Sequence, residues 1–317
     1  MSDRKLGDVR SIHMSRTQIQ YGWDRDRKPL VTVASGSNLT LEVSDAGGGQ
    51  FNSGSTAADV AALDFDRVNP TCGPIFVEGA EVGTVLQIEI LNLRMGSFGW
   101  TGIIPGFGLL ADQFTTPWLN IWAMRGGMAE FRDGIRVPLQ PFCGVMGLAL
   151  AEAGTHSVVP PRRVGGNLDI KQLTQGSSLF LPVEVDGALL GIGDTHGAQG
   201  DGEVCGTAIE SPMEVEVRLT VRRDLDLDAP EFDVLGPLER PAAAAAGYHA
   251  TTGVAPDLMR AARQAIERMI GHLSKHYRLA PEEAYALCSV AVDLKISEVV
   301  DAPNWVVSAF LPKDLFD

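Results

Sequence analysis

Three stretches of the chain share one plan, a glycine followed by alternating apolar and polar residues: SGSNLTLEV (35–43), VGTVLQIEI (82–90) and QGSSLFLPV (175–183). A period of two places Leu39, Leu41 and Val43 on one face of an extended segment, while Val85 and its successors drift between the faces of a half-buried strand. A fourth stretch, MEVEVRLTV (213–221), carries an apolar residue at every second position with Glu and Arg between, the strongest strand signal in the chain. The apolar run Ala188 to Ile192 predicts a further buried strand. Many strands of this kind predict a β-sandwich or barrel.

The pattern changes after residue 222. RRDLDLDAPEFD is charged and turn-rich, and PAAAAAGY (241–248), bounded by proline and glycine, reads as a connector. Beyond it Leu258, Ala261, Ala265, Met269, Leu273 and Tyr277 recur at steps of three and four, which predicts an amphipathic helix capped by Asp257. Pro281 with Glu282 and Glu283 predicts the first turn of a second helix, and NWVVSAFLP (304–312) returns to strand. The predicted fold class is therefore α+β, predominantly β. A β-sandwich or barrel body over 1–225 carries the site, and a C-terminal α/β part over 226–317 is integrated with it. Residues 96–118, rich in glycine, proline and aromatics without a steady period, predict an irregular segment that covers a site.

Composition refines this picture. A length of 317 residues with 45% hydrophobic side chains supports a large core. A net charge of -14, with no basic cluster interleaved with aromatics, excludes nucleic acid and anionic membrane surfaces as partners. No apolar stretch approaches the roughly 20 residues that span a bilayer, and the N-terminal MSDRKLGDVRSIHMSR contains no apolar signal region. Cys72, Cys143, Cys205 and Cys288 form no C-x-x-C pair, so free buried thiols and a cytoplasmic location are expected. A homo-oligomer is the expectation for an acidic globular protein of this size.

The chemistry concentrates in GDTHGAQGDGEVCGTAIE (193–210). Asp194 and His196 are two apart, a spacing that on an extended backbone directs both to one side, where imidazole and carboxylate can share a metal ion. Asp201 and Glu203 repeat the spacing across a glycine turn, as a further ligand and a general base. The structural alternative is a turn whose acids cap backbone amides. Cys205 can be read as a nucleophile with His196 or His156 as base, but its small apolar neighbours favour an inert packed thiol. A second constellation surrounds PPRRVGGNLDI (160–170), with His156, Arg162, Arg163, Asn167 and Asp169. Its structural alternative is an arginine clasp that pairs Asp169. In YGWD (21–24), Asp24 is a turn acid or a site residue.

These blocks, with NPTCGPIFVEGAEVGTVLQIEI (69–90), IIPGFGLL (103–110) and EEAYALCSVAVDLKISEVVD (282–301), resemble the acetamidase/formamidase family over nearly the whole chain. The resemblance implies a β-rich fold with a C-terminal α/β part, hydrolysis of a small amide to carboxylate and ammonia, and a divalent metal, zinc with calcium as the alternative. By matching position it implies Asp24, Asp194 and His196 as metal ligands and Glu203 as the base. His156, Asn167 and Asp169 fall in the family block that lines the site, His156 with a catalytic role. An activated water would attack the carbonyl while Glu203 delivers a proton to the leaving nitrogen. A narrow pocket lined by Trp100 and Phe107 would select a small substrate, core packing being the other role open to these two rings. Two further readings remain: an amidase that uses Cys205 covalently, and a non-catalytic small-ligand binding protein of the same fold.

Overall fold

The computed structural model describes residues 12–132, 134–235 and 245–316. The expected connector falls partly outside them, at 241–244. The four stretches picked out by alternation become adjacent strands of a single six-stranded sheet: Ser37–Val43, Met213–Arg222, Val85–Met95 and Ser178–Pro182, each antiparallel to the next. Buried and half-buried residues alternate along Met213–Arg222 as the period of two requires. The drift in Val85–Met95 coincides with a register shift in its pairing between Glu216 and Val217.

A second six-stranded sheet places Leu190–His196 between Phe142–Gly147 and Thr71–Glu78. Leu39, Val215 and Ile88 of the first sheet share one core with Ile75, Met146 and Ile192 of the second, so the two pack face to face as a sandwich. Among the described residues each sheet is an open series of strands rather than a closed barrel. The fold is α+β and predominantly β.

Within the expected irregular segment, Phe98–Ile103 forms a strand paired with Trp118–Arg125 in a four-stranded sheet. Its alternation is hidden because Gly99 lies against Ile209 and Glu210, where a Cβ would come within 2.7 Å of the Ile209 side chain. The chain after Ile103 is irregular, as expected, up to Trp118.

A short helix, α1 (Ala57–Ala61), precedes the two C-terminal helices α2 (Leu258–Tyr277) and α3 (Pro281–Ala291). Asp257 caps α2 by accepting from the Arg260 amide at 2.9 Å, and Pro281 opens α3. The α2 helix packs on a three-stranded sheet of Tyr248–Ala255, Trp305–Pro312 and Asp293–Glu298. Ile266, Met269 and Leu273 of α2 and Leu287 of α3 share a core with Trp122 and Val137 of the four-stranded sheet. No described helix is long and apolar enough to cross a membrane.

One surface of α2 makes a testable device. The His272 ring stacks on His249 at 3.6 Å between centroids, with His276 at 4.6 Å. Burial, aided by His249 and His276, pushes the His272 imidazole down to about 4. A folded pKa below the unfolded value of about 6.5 means that stability is complete above that pH and is lost as pH falls toward 4. Thermal melts between about pH 7.5 and 4.5 should therefore show a shallower acid decline for His272→Phe than for wild type. Parallel curves would count against coupling of this stack to folding.

Candidate functional site

The strand Leu190–His196 is buried along its whole length, and its last residues carry Asp194 and His196 into one group. The His196 Nε2 lies 2.9 Å from Asp194 Oδ1, 3.2 Å from Glu210 Oε2 and 4.0 Å from Glu203 Oε1. One donor atom from each of Asp194, His196 and Glu210 falls within 4.8 Å of the others, and the same holds for Asp169, His196 and Glu203. The Phe142 ring meets the imidazole edge-on at 4.9 Å and fixes its plane.

Close backbone approach makes this convergence feasible. Gly144 lies on the neighbouring strand, and a Cβ there would stand 2.6 Å from Asp169 Oδ1 and 2.8 Å from His196 Cε1. Only glycine leaves room for both groups. Asp169, Asp194 and Glu203 have φ of 50°, 52° and 43°, as does Asn69 nearby at 47°. Left-handed torsions at non-glycine residues are costly and cluster where a site imposes them.

The glycine turn 200–206 that presents Glu203 rests on α3. The Gly200 amide donates to the Ser289 carbonyl at 2.8 Å, the Cys205 amide to Ser289 Oγ at 3.1 Å, and the Tyr285 hydroxyl to the Val204 carbonyl. Lys171 bridges Asp201, at 3.4 Å, and Asp293 of the C-terminal sheet. Asp201 is thus engaged away from His196, while Glu203 faces it.

Electrostatics make the group unstable unless its charge is balanced. Burial opposes charging of His196, but Glu210 and Asp194 together raise its pKa well above the usual imidazole range. Burial raises Glu210 to about 8 against the pull of His196, and burial with the Asp194 charge raises Asp169 to about 7. Glu203 is pushed well above the carboxylate range by burial and then by Asp169. A single Nε2–H can serve only one carboxylate at a time. With Asp194 taking that proton, Glu210 Oε2 is left buried without a hydrogen-bond partner, and Asp169 Oδ1 and His196 Nδ1 are likewise buried and unpartnered. Orphaned oxygens converging with an imidazole are a donor set that fits a divalent cation.

The group sits at the buried end of a cavity of about 280 Å³. Asp194, Glu203, Glu210, Asn167 and Thr207 line its polar part, and Trp100, Ile104, Phe107, Leu63 and Val159 are among its apolar walls. The Trp100 indole donates to Asp45 Oδ1 at 3.0 Å and its ring lies 4.2 Å from that of Phe51. Phe107 stands at the exposed end. Asn167 Oδ1 is buried and unpartnered.

Several sequence-derived candidates lie elsewhere. Asp24 is occupied as a turn acid: Oδ1 accepts from the Asp26 amide at 3.0 Å and Oδ2 from the Thr155 hydroxyl at 3.1 Å. It belongs to neither donor group. His156 pairs its backbone with Trp23 and places Nε2 3.2 Å from the Glu152 carbonyl, beside a separate cavity of about 140 Å³. The arginine clasp forms without Asp169: Arg162 donates to the Ser157 and Pro160 carbonyls, and Arg163 pairs Glu184 at 3.1 Å. Glu210 is the residue that sequence reasoning missed. Its backbone pairs in both directions with Trp100 and bridges to His196, and the only signal was its place at the end of the GDTH…AIE block.

Cys205 is fully buried, does not line the cavity, and has its thiol pushed up by burial. Its sulfur lies 3.5 Å from the Thr207 hydroxyl. Cys205→Ala is expected to retain the wild-type kcat for amide hydrolysis in a stopped ammonia assay; complete loss in a folded variant would restore the thiol reading.

Comparison with known proteins places these features. The model of the Acetamidase/Formamidase family matches residues 7–153 and 149–317. The formamidase of Methylophilus methylotrophus is 29% identical across 95% of this chain and 90% of its own. Among solved structures, the gamma lactamase from Delftia acidovorans superposes with a TM-score of 0.86 at 27% identity, covering 95% of this chain and 90% of its own. The predicted acetamidase/formamidase of Thermoanaerobacter tengcongensis gives 0.69 at 29% identity, with 96% of each chain covered. With both halves of the sequence matched and the fold shared along nearly its full length, the chain belongs to the acetamidase/formamidase family.

Proposed function

We propose that the chain hydrolyses a short-chain amide of the formamide or acetamide type to carboxylate and ammonia at the buried end of this cavity, and that His196, Asp194 and Glu210 hold a divalent cation there. Membership of the family makes the chain an amidohydrolase. What supports the cation is the set of converging donors, with Glu210 Oε2 lacking a hydrogen-bond partner although it lies 3.2 Å from His196 Nε2. A mixed imidazole and carboxylate set suits zinc, whereas calcium takes six to eight oxygens. Such a cation, when bound, supplies a more acidic water and a polarised carbonyl.

The chain's own groups orient the substrate and move the proton. Asn167 Oδ1, buried at the cavity wall, offers an acceptor to the amide N–H. Glu203 lines the cavity, and its raised pKa suits it to take the proton that the attacking water gives up. It returns that proton to the nitrogen as the C–N bond breaks, so ammonia leaves neutral. Asp169 beside it opposes a permanent negative charge on Glu203 and keeps it basic enough for this exchange.

We place the enzyme in the cytoplasm, a reading supported by four free, buried cysteines, and take a homo-oligomer from the general prevalence of symmetric assemblies. The deciding experiment measures metal content and ammonia release from formamide and acetamide before chelation, after it, and after metal is restored. About one equivalent of metal, with activity lost and recovered, is expected. Full activity in metal-free protein would remove the cation but keep hydrolysis; no ammonia from any amide would remove both.

A further inference from the structure

The cavity is larger and more apolar than formamide or acetamide requires. Taking each non-hydrogen atom as roughly the size of one water, about 30 Å³ in the liquid, its volume of about 280 Å³ has room for about nine. Acetamide has four. The remaining space is lined by Leu63, Phe65, Ile104, Phe107 and Val159. Phe65, Phe107 and Val159 are 59%, 43% and 37% exposed, yet all three converge on this one mouth. Exposed apolar side chains gathered at the opening of a polar-ended cavity mark a surface that an apolar ligand covers.

The charges point the same way. The lining holds Asp194, Glu203 and Glu210, and among its residues no lysine, arginine or histidine. A substrate with a second carboxylate would have to bury it against the apolar walls, where no basic side chain of the lining pairs it. An uncharged apolar body meets a matching wall, with its amide directed toward the acids.

We propose that the cavity extends the substrate range beyond the formamide and acetamide type to an uncharged amide whose acyl part is a compact apolar group of about six carbons, branched, alicyclic or aromatic, and favours it over them. This rests on the assignment of amide hydrolysis to the same cavity. The amide carbon, oxygen and nitrogen occupy the acidic end, and the carbon body lies against Ile104, Phe107, Val159 and Phe65.

The test compares kcat/KM for formamide, acetamide, cyclohexanecarboxamide, benzamide and the anionic amide succinamate, by ammonia release from the purified wild-type enzyme. The two ring amides should exceed acetamide by at least about 100-fold, since each matched methylene in such a pocket is worth about tenfold or more. Succinamate should be the poorest. Phe65→Ala, at an exposed position, should lower the ratio of cyclohexanecarboxamide to acetamide by about tenfold or more. Acetamide hydrolysed as well as the ring amides would overturn the substrate class while leaving amide hydrolysis intact. Ammonia from none of the five would overturn the underlying reading instead. An unmoved ratio in Phe65→Ala, with a changed sedimentation coefficient, would identify the exposed aromatics as a contact between copies and would also overturn the proposal.

Discussion

Glu203→Gln is expected to lower kcat for amide hydrolysis by about 10²–10⁴-fold, the range for loss of one positioned proton-transfer group. Glutamine keeps the size of the side chain and can keep the turn, in which the Glu203 amide donates to the Gly200 carbonyl at 3.1 Å and the Glu203 carbonyl accepts from Gly206 at 2.8 Å. What it removes is the exchangeable proton. The stability effect should have the opposite sign. A carboxyl whose folded pKa is raised contributes stability that is present at low pH and disappears as pH rises past the unfolded value. The metal-free variant should therefore melt at or above the wild-type temperature at neutral and alkaline pH. Calorimetry and ammonia release on the same samples check both halves. A kcat near wild type would assign proton transfer to another group, with Asp169 next in line.

Gly200→Ala should damage stability and activity together. A Cβ at this position would stand 2.1 Å from the Val292 carbonyl oxygen and 2.8 Å from the Val292 amide, both backbone atoms just past α3. Overpacking against backbone costs about 1–3 kcal/mol. The turn that must yield is the one that carries Glu203, and a displacement near 1 Å of a reacting group costs about 10²-fold. Gly271→Ala is the control. It lies within α2 with nothing inside 4 Å of its added Cβ. A helical alanine there should raise stability by about 0.5–1 kcal/mol and leave kcat alone. Equal melting temperatures for Gly200→Ala and wild type would mean that the turn and α3 are not tightly joined.

The parts of the fold most legible in sequence were those where one face is wet and the other dry, and the apolar run that leads into the buried strand Leu190–His196. Met213–Arg222 and α2 each show a clean period because only one side of each is buried. Phe98–Ile103 was illegible because Gly99 and Gly102 present no side chain where the strand lies against other backbone. The site divides along the same line. Asp194 and His196 sit on one strand, so their spacing alone joins them. Glu210 reaches His196 through a long-range bridge that no local pattern encodes. Asp24 carried a motif shared with the family, yet its carboxylate is spent on a local turn and a threonine hydroxyl, a competition that spacing does not reveal.

The contacts of Ser289 and Tyr285 with residues 200–207 tie the last third of the chain to the turn that carries the proposed base, although none of its residues lines the cavity. A gentle denaturant that frays α3 should silence turnover before the sandwich sheets lose their signal. Shortening this protein to its β body would leave the proton carrier slack for want of a brace and would also expose the face of the four-stranded sheet that α2 and α3 cover.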